Sequence, residues 1–118
     1  MASEMEPKVR QTYLYDFYGE LLNEHQRRIF EAFVFDDLSL GEIAEEQDIS
    51  RQAVHDLVKR STKKLEEYEN KLHLMERFLD LREKVVSIQK CAEDYEKSRE
   101  EQLLTEIRQL SDEIIKEL

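Results

Sequence analysis

At 118 residues the chain has room for one ordinary domain, or for a small domain with a long helical extension, and two independent cores are not expected. Charged residues make up 39% of it, and Gly19, Gly41 and Pro7 are the only glycines and proline, a composition that favours an all-helical protein with long solvated faces. The net charge of −10 makes general affinity for polyanions weak, so any nucleic-acid contact is expected to be confined to a local stretch.

After a frayed start ending near Pro7, Val9, Tyr13, Phe17 and Leu21 recur every four residues, with Leu14, Tyr18 and Leu22 broadening the stripe. This spacing predicts a first helix that runs through Gly19, where glycine costs about 1 kcal/mol relative to Ala. Close approach of another helix would account for it. Asn23 followed by Gln26 has capping-box spacing, and Ile29, Phe30, Phe33 and Val34 then form the apolar face of a second helix until Asp36 and Asp37 interrupt it. Between them the two helices offer enough large apolar side chains for one shared core.

Residues 39 to 64 organise the rest. Leu40, Ile43 and Ala44 lie on one face of a short helix, Val54, Leu57 and Val58 on one face of the next, and only Asp48, Ile49 and Ser50 separate them. That is the turn length of a helix-turn-helix, whose second helix offers its N-terminal side chains to a groove. Ser39 with Glu42 forms another capping box, and Ser50 stands where an N-cap is needed. Ala44 lets the helices cross closely and Ile49 plugs the angle between them. Asp48 occupies the place where such turns usually have Gly at positive φ, a conformation Asp tolerates at roughly 1 kcal/mol.

From Ser50 onward no stop signal appears, and Leu65, Tyr68, Leu72, Met75 and Leu79 follow at steps of three and four. The second motif helix is therefore expected to run far past the motif, with a narrow seam suited to a coiled-coil partner and a bend near residues 80 to 83. Residues 91 to 97 lose the stripe. Ser98 and Glu101 offer one more capping box, and a last helix carries Leu103, Leu104, Ile107, Leu110, Ile114, Ile115 and Leu118. Its apolar face has to fold back on the long helix, pair with another subunit, or both. The expected division is residues 1–64 as the helix-turn-helix domain and 65–118 as a helical extension. Dimerisation is assigned to Leu65, Tyr68, Leu72, Met75, Leu79, Leu103, Ile107, Leu110 and Ile114, giving a homodimer.

Catalytic constellations are missing. His25, His55 and His73 are far apart and lack ligand spacing with each other or with Cys91, and the carboxylate pairs Glu45–Glu46 and Glu66–Glu67 read as solvated helix faces. There is no Gly-rich phosphate loop. No enzyme activity, metal, cofactor or small-molecule substrate is expected. A single cysteine excludes an intramolecular disulfide, the acidic start lacks a signal sequence, and no apolar run nears the roughly 18 residues of a membrane span. A cytoplasmic protein without a membrane partner is the expectation.

Charge is distributed unevenly. Over residues 51 to 64, Arg51, Lys59, Arg60, Lys63 and Lys64 are opposed only by Asp56. Arg51, Gln52, His55 and Lys59 share the outward face of the second motif helix. Arg and Gln can form paired hydrogen bonds to base edges, and the lysines can hold phosphates. With Ser50 and Arg60, these residues make up the candidate nucleic-acid surface. The bland alternative is an ordinary solvated face, with Lys63 and Lys64 paired to Glu67.

Three stretches carry a resemblance: 23–28 (Asn-Glu-His-Gln-Arg-Arg), 39–46 (Ser-Leu-Gly-Glu-Ile-Ala-Glu-Glu) and 49–54 (Ile-Ser-Arg-Gln-Ala-Val). They look like region 4 of bacterial sigma factors, which reads the promoter −35 element. More closely, the run from Tyr15 to His73 resembles the YlxM-like family of small helix-turn-helix proteins of Gram-positive bacteria. The resemblance implies an all-α, sigma-region-4-like bundle that binds DNA or RNA. It also implies service to, or regulation of, the signal recognition particle pathway, whose components would be partners. From sigma region 4 only Arg51, Gln52, His55 and Lys59 inherit a groove-contact role. The competing expectation is a protein adaptor that uses the helix pair as a scaffold and docks a partner on its apolar seam.

Overall fold

The computed structural model describes residues 5–118; part of the expected frayed start, residues 1–4, lies outside the described residues. The chain is all-α: α1 (Pro7–Tyr18), a 3-10 turn (Gly19–Leu21), α2 (Glu24–Val34), α3 (Leu40–Gln47), α4 (Arg51–Leu72), α5 (Leu74–Ser98) and α6 (Glu101–Glu117). It divides into two compact units, one ending at Met75 and one running from Glu76 to Leu118. The first is larger than the expected 1–64 domain, because Leu65, Glu69 and Met75 are buried within it.

In the first unit α4 packs against α1, α2 and α3. Its apolar arc, Val54, Leu57, Val58 and Leu65, meets Ile29 and Phe30 of α2, Ile43 and Ala44 of α3, and Leu14 and Tyr18 of α1 in the buried set. On α1 the wing of the predicted stripe forms the core: Leu14, Tyr18 and, just beyond, Leu22 are buried, whereas Val9 and Leu21 are exposed. The helix stops at Tyr18 rather than passing through Gly19. A Cβ at Gly19 would lie 2.8 Å from the Tyr15 ring, so the close approach comes from its own helix and not from a neighbour. That ring stacks on Phe30 with centroids 5.5 Å apart. Arg10 grips Glu66 with a two-pronged ion pair, Nε and Nη2 donating over 2.7 and 2.6 Å, which ties α1 to α4.

The second motif helix extends beyond the motif but stops at Leu72, correcting the expectation of an unbroken helix through Leu79. His73 adopts a left-handed conformation (φ 56°, ψ 26°) and α5 begins at once. The cause is a buried acceptor set. Tyr18 Oη donates to Glu69 Oε1 over 2.6 Å and accepts from Leu74 N over 3.1 Å, while Glu69 Oε1 accepts from Met75 N over 3.0 Å. The first amides of α5 would otherwise be orphans. Burial first, and then donation to Glu69, raise the Tyr18 hydroxyl above its ordinary pKa.

In the second unit α5 continues without interruption to Ser98, so no helix break falls at residues 80 to 83. Arg99 turns the chain at φ 60°. The expected Ser98 capping box does not form: Glu100 is the N-cap of α6, and the Ser98 hydroxyl instead donates to Asp94 O and accepts from Glu100 N. Lys84 on α5 bonds Glu117 and Asp80, and the Cys91 thiol donates to Glu106 over 3.4 Å, so α5 and α6 run antiparallel.

Candidate nucleic-acid interface

The turn between α3 and α4 is built by local chemistry that the sequence announces. Ser39 Oγ accepts from Glu42 N over 3.1 Å and Glu42 Oε1 accepts from Ser39 N over 2.9 Å, closing the capping box at the start of α3. Hydrogen bonding to the Ser39 backbone amide first, and then to the Ser39 side chain, holds the Glu42 carboxyl below its usual range. Asp48 takes the left-handed conformation at φ 56°, ψ 47°, and Ile49 N donates to Ala44 O over 3.0 Å. Ser50 Oγ then accepts from Ala53 N over 3.0 Å to start α4. Ile43, Ala44, Val54, Leu57 and Val58 form one buried cluster with Ile29, and Ile49 packs against it from the turn. The crossing of α3 and α4 is thereby fixed from both sides.

On the outer face of α4 the predicted residues separate into two groups. Arg51, Gln52, His55, Lys59, Arg60 and Lys63 are exposed and Lys64 is half-buried; helical spacing puts Arg51, Gln52, His55, Lys59 and Lys63 on one arc of α4, with Arg60 and Lys64 further round. Ser50 is exposed too, but its hydroxyl is already committed to the N-cap. The front of the surface is internally occupied. The Arg51 guanidinium lies over α3 so closely that a Cβ at Gly41 would sit 2.8 Å from its Nη2. Gln52 Nε2 donates to Asp56 Oδ1 over 3.0 Å, His55 Nδ1 is 3.5 Å from the same oxygen, and Arg60 Nε donates to Asp56 O over 3.4 Å. Behind them, Lys59, Lys63 and Lys64 have no ion-pair partner among the described residues; in particular neither Lys63 nor Lys64 pairs with Glu67. A front of folded-back polar groups with the ammonium groups of Lys59 and Lys63 behind it suits a charged polymer lying along α4.

The residues assigned to dimerisation are placed less uniformly. Leu65 and Met75 are fully buried in the first unit, Tyr68 sits with its ring centroid 6.0 Å from that of Tyr18, and Leu72 is half exposed. In the second unit Leu79, Leu103, Ile107, Leu110 and Ile114 are half-buried. The run from Leu65 to Leu79 is not one helix, because α4 ends at Leu72 and His73 is left-handed before α5 begins. Sequence reasoning missed Glu69, whose place on the buried arc of α4 between Leu65 and Leu72 was the available signal. Among the described residues, no helix is long and apolar enough to cross a membrane.

Comparison with known proteins agrees with this architecture. Residues 5–107 match the family UPF0122, described as "Putative helix-turn-helix protein, YlxM / p13 like". UPF0122 proteins of Bacillus thuringiensis (strain Al Hakam) and Bacillus cereus (strain 03BB102) are each 45% identical to the chain over 97 residues, covering 82% of it and 88% of the relative. A UPF0122 protein of Bacillus anthracis (strain A0248) matches over the same extent with the same identity. The chain belongs to the UPF0122 family of YlxM / p13-like helix-turn-helix proteins.

Proposed function

We propose that the protein is a non-enzymatic regulator that binds nucleic acid through α3 and α4, acting in or on the signal recognition particle pathway. The observation that carries the binding is the pair Lys59 and Lys63, exposed one turn apart and unpaired among the described residues, on the helix that follows a capped turn with Asp48 at positive φ. In this reading Arg51 and Gln52 swing off Gly41 and Asp56 to reach base edges, while the lysines hold phosphates. The assignment to the targeting pathway rests on the YlxM resemblance, and makes its RNA the first ligand to try.

A second reading, a protein adaptor in which α3 and α4 are only a scaffold, is favoured by Asp56, which occupies Gln52 and lies beside His55 and Arg60. Titration of the full chain against duplex DNA and against signal recognition particle RNA, at about 50 and 200 mM salt, separates the two, because phosphate binding falls steeply over that range. Binding to either that weakens at the higher salt supports the regulator. No binding at the lower salt, or binding insensitive to salt, transfers the function to the adaptor.

A further inference from the structure

The side chains proposed to read bases differ from those proposed to hold phosphates in one respect. Lys59 and Lys63 have no ion-pair partner among the described residues, whereas Arg51 and Gln52 are each already placed against another group. Gln52 is held by Asp56, 3.0 Å away. Arg51 is held in another way, because no hydrogen bond or ion pair engages its guanidinium among the described residues. It rests on Gly41.

A Cβ at Gly41 would lie 2.8 Å from Nη2, 2.9 Å from Nε and 3.0 Å from Cζ of Arg51. Three nearly equal distances lay the face of the guanidinium, not its edge, across the glycine. Cβ atoms do not tolerate contacts below 3.0 Å, so only glycine lets Arg51 lie there. The backbone makes no other demand for glycine, since Gly41 does not have positive φ, and glycine weakens a helix relative to Ala. What the residue contributes to α3 is the space that Arg51 fills.

The hold is weak. Gly41 is the second residue of α3, after the Ser39 cap, and that first turn is the positive end of the helix dipole, which repels a guanidinium. Contact of a planar group with bare backbone is left to keep Arg51 in place, and its atom pairs are individually small. One face of the guanidinium is covered while the side chain as a whole stays exposed, so its N–H edge is available. An acceptor pair, such as a guanine edge or two phosphate oxygens, gives charge-assisted hydrogen bonds that outweigh the contact.

We infer that Gly41 is a rest that parks Arg51 in the free protein and so restrains base readout, a regulatory device that rests on the nucleic-acid binding proposed for α4. The lysines take phosphates first. Arg51 leaves Gly41 only for an acceptor pair that engages its edge, and a sequence that offers none leaves it parked and gains nothing from it.

The test is Gly41→Ala in the full chain, alone and combined with Arg51→Ala. Alanine is the better helix former and the displaced group is the end of a flexible side chain, so melting is expected to be unchanged or raised. In nuclear magnetic resonance spectra of the wild type, the Cα protons of Gly41 are expected to show cross-relaxation with the Cδ protons of Arg51, and the Arg51 Nε–H group restricted motion. Gly41→Ala is expected to release that motion. In low-salt titrations against duplex DNA and structured RNA, Gly41→Ala is expected to bind the probe the wild type prefers about threefold more tightly, because the parked form no longer competes with the bound one. With Arg51→Ala in place, the same substitution is expected to change nothing. A freely moving Arg51 in the wild type overturns the inference whatever the titrations give. So does a wild type that binds while Gly41→Ala binds no better, or a gain that persists without Arg51. No binding by wild type and Gly41→Ala alike overturns the nucleic-acid reading itself, and the inference falls with it.

Discussion

Tyr18 and Glu69, 51 residues apart in sequence, share a 2.6 Å hydrogen bond in the buried interior and together receive the amides of Leu74 and Met75. The pair ends one long helix and begins another without glycine or proline. Tyr18→Phe removes the donor to Glu69 and the acceptor for Leu74 N while keeping the ring. Leaving a buried carboxylate oxygen and an amide short of partners is expected to cost about 1–3 kcal/mol. Urea unfolding monitored by circular dichroism measures it; an unchanged midpoint would mean that water replaces the hydroxyl.

The same hydroxyl makes stability sensitive to alkali. Its pKa in the folded chain lies above the ordinary value of about 10, so in alkaline solution the folded state holds the proton that the unfolded chain has released. The contribution is complete below about pH 10 and is lost as pH rises through the higher folded value. Tyr15, raised mainly by burial, acts in the same direction. Urea midpoints measured from neutral pH upward are expected to fall more steeply in the wild type than in Tyr18→Phe. Parallel curves would contradict the assignment.

Ser61 is fully buried on α4 and its hydroxyl has no hydrogen-bond partner among the described residues. Ser61→Ala deletes an unpaired polar atom at nearly constant volume and is expected to stabilise the chain by about 1 kcal/mol. A loss of stability in thermal melts would show that the hydroxyl has a partner in solution.

Asp48 carries a left-handed backbone on a residue with a Cβ. Asp48→Gly relieves that strain at the expense of a more flexible unfolded chain, a net gain of roughly 0.5 kcal/mol. Nucleic-acid affinity is expected to stay unchanged, because Asp48 positions the turn without belonging to the outer face of α4. A drop in affinity would place Asp48 in the binding surface.

What the sequence discloses depends on the range of the interaction. The Asn23–Gln26 and Ser39–Glu42 capping boxes, the Ser50 cap and the positive φ at Asp48 act within four residues, and all are present as read. The helix-turn-helix was legible for the same reason, since its two apolar faces lie side by side in the chain. The break at His73 was not, because its cause is a tyrosine on α1 that no local pattern connects to Glu69. The heptad from Leu65 to Leu79 was real as spacing, but Leu65 and Met75, two of its five residues, serve the core of the first unit. At the candidate surface, exposure was predictable from helical periodicity, whereas the folding of Arg51 over Gly41 and the capture of Gln52 by Asp56 appear only in three dimensions.

Asp56 is the one acid opposing the basic residues of 51–64; its carboxylate accepts from Gln52, while Arg60 bonds its backbone carbonyl. Asp56→Asn frees a positive surface from an opposing charge and is expected to tighten nucleic-acid binding severalfold at low salt, with little effect at high salt. If the variant binds no better, Asp56 does not face the ligand.

The most direct measurement is the salt dependence of binding for the full-length wild type, Arg51→Ala and Lys59→Ala, each titrated against specific and scrambled sequences. If α4 lies on nucleic acid, Lys59→Ala weakens all sequences alike and reduces the salt slope by about one, whereas Arg51→Ala flattens the preference between sequences with little change in slope. Identical slopes and preferences for all three proteins, or no binding by any of them at low salt, would contradict a nucleic-acid role for α4.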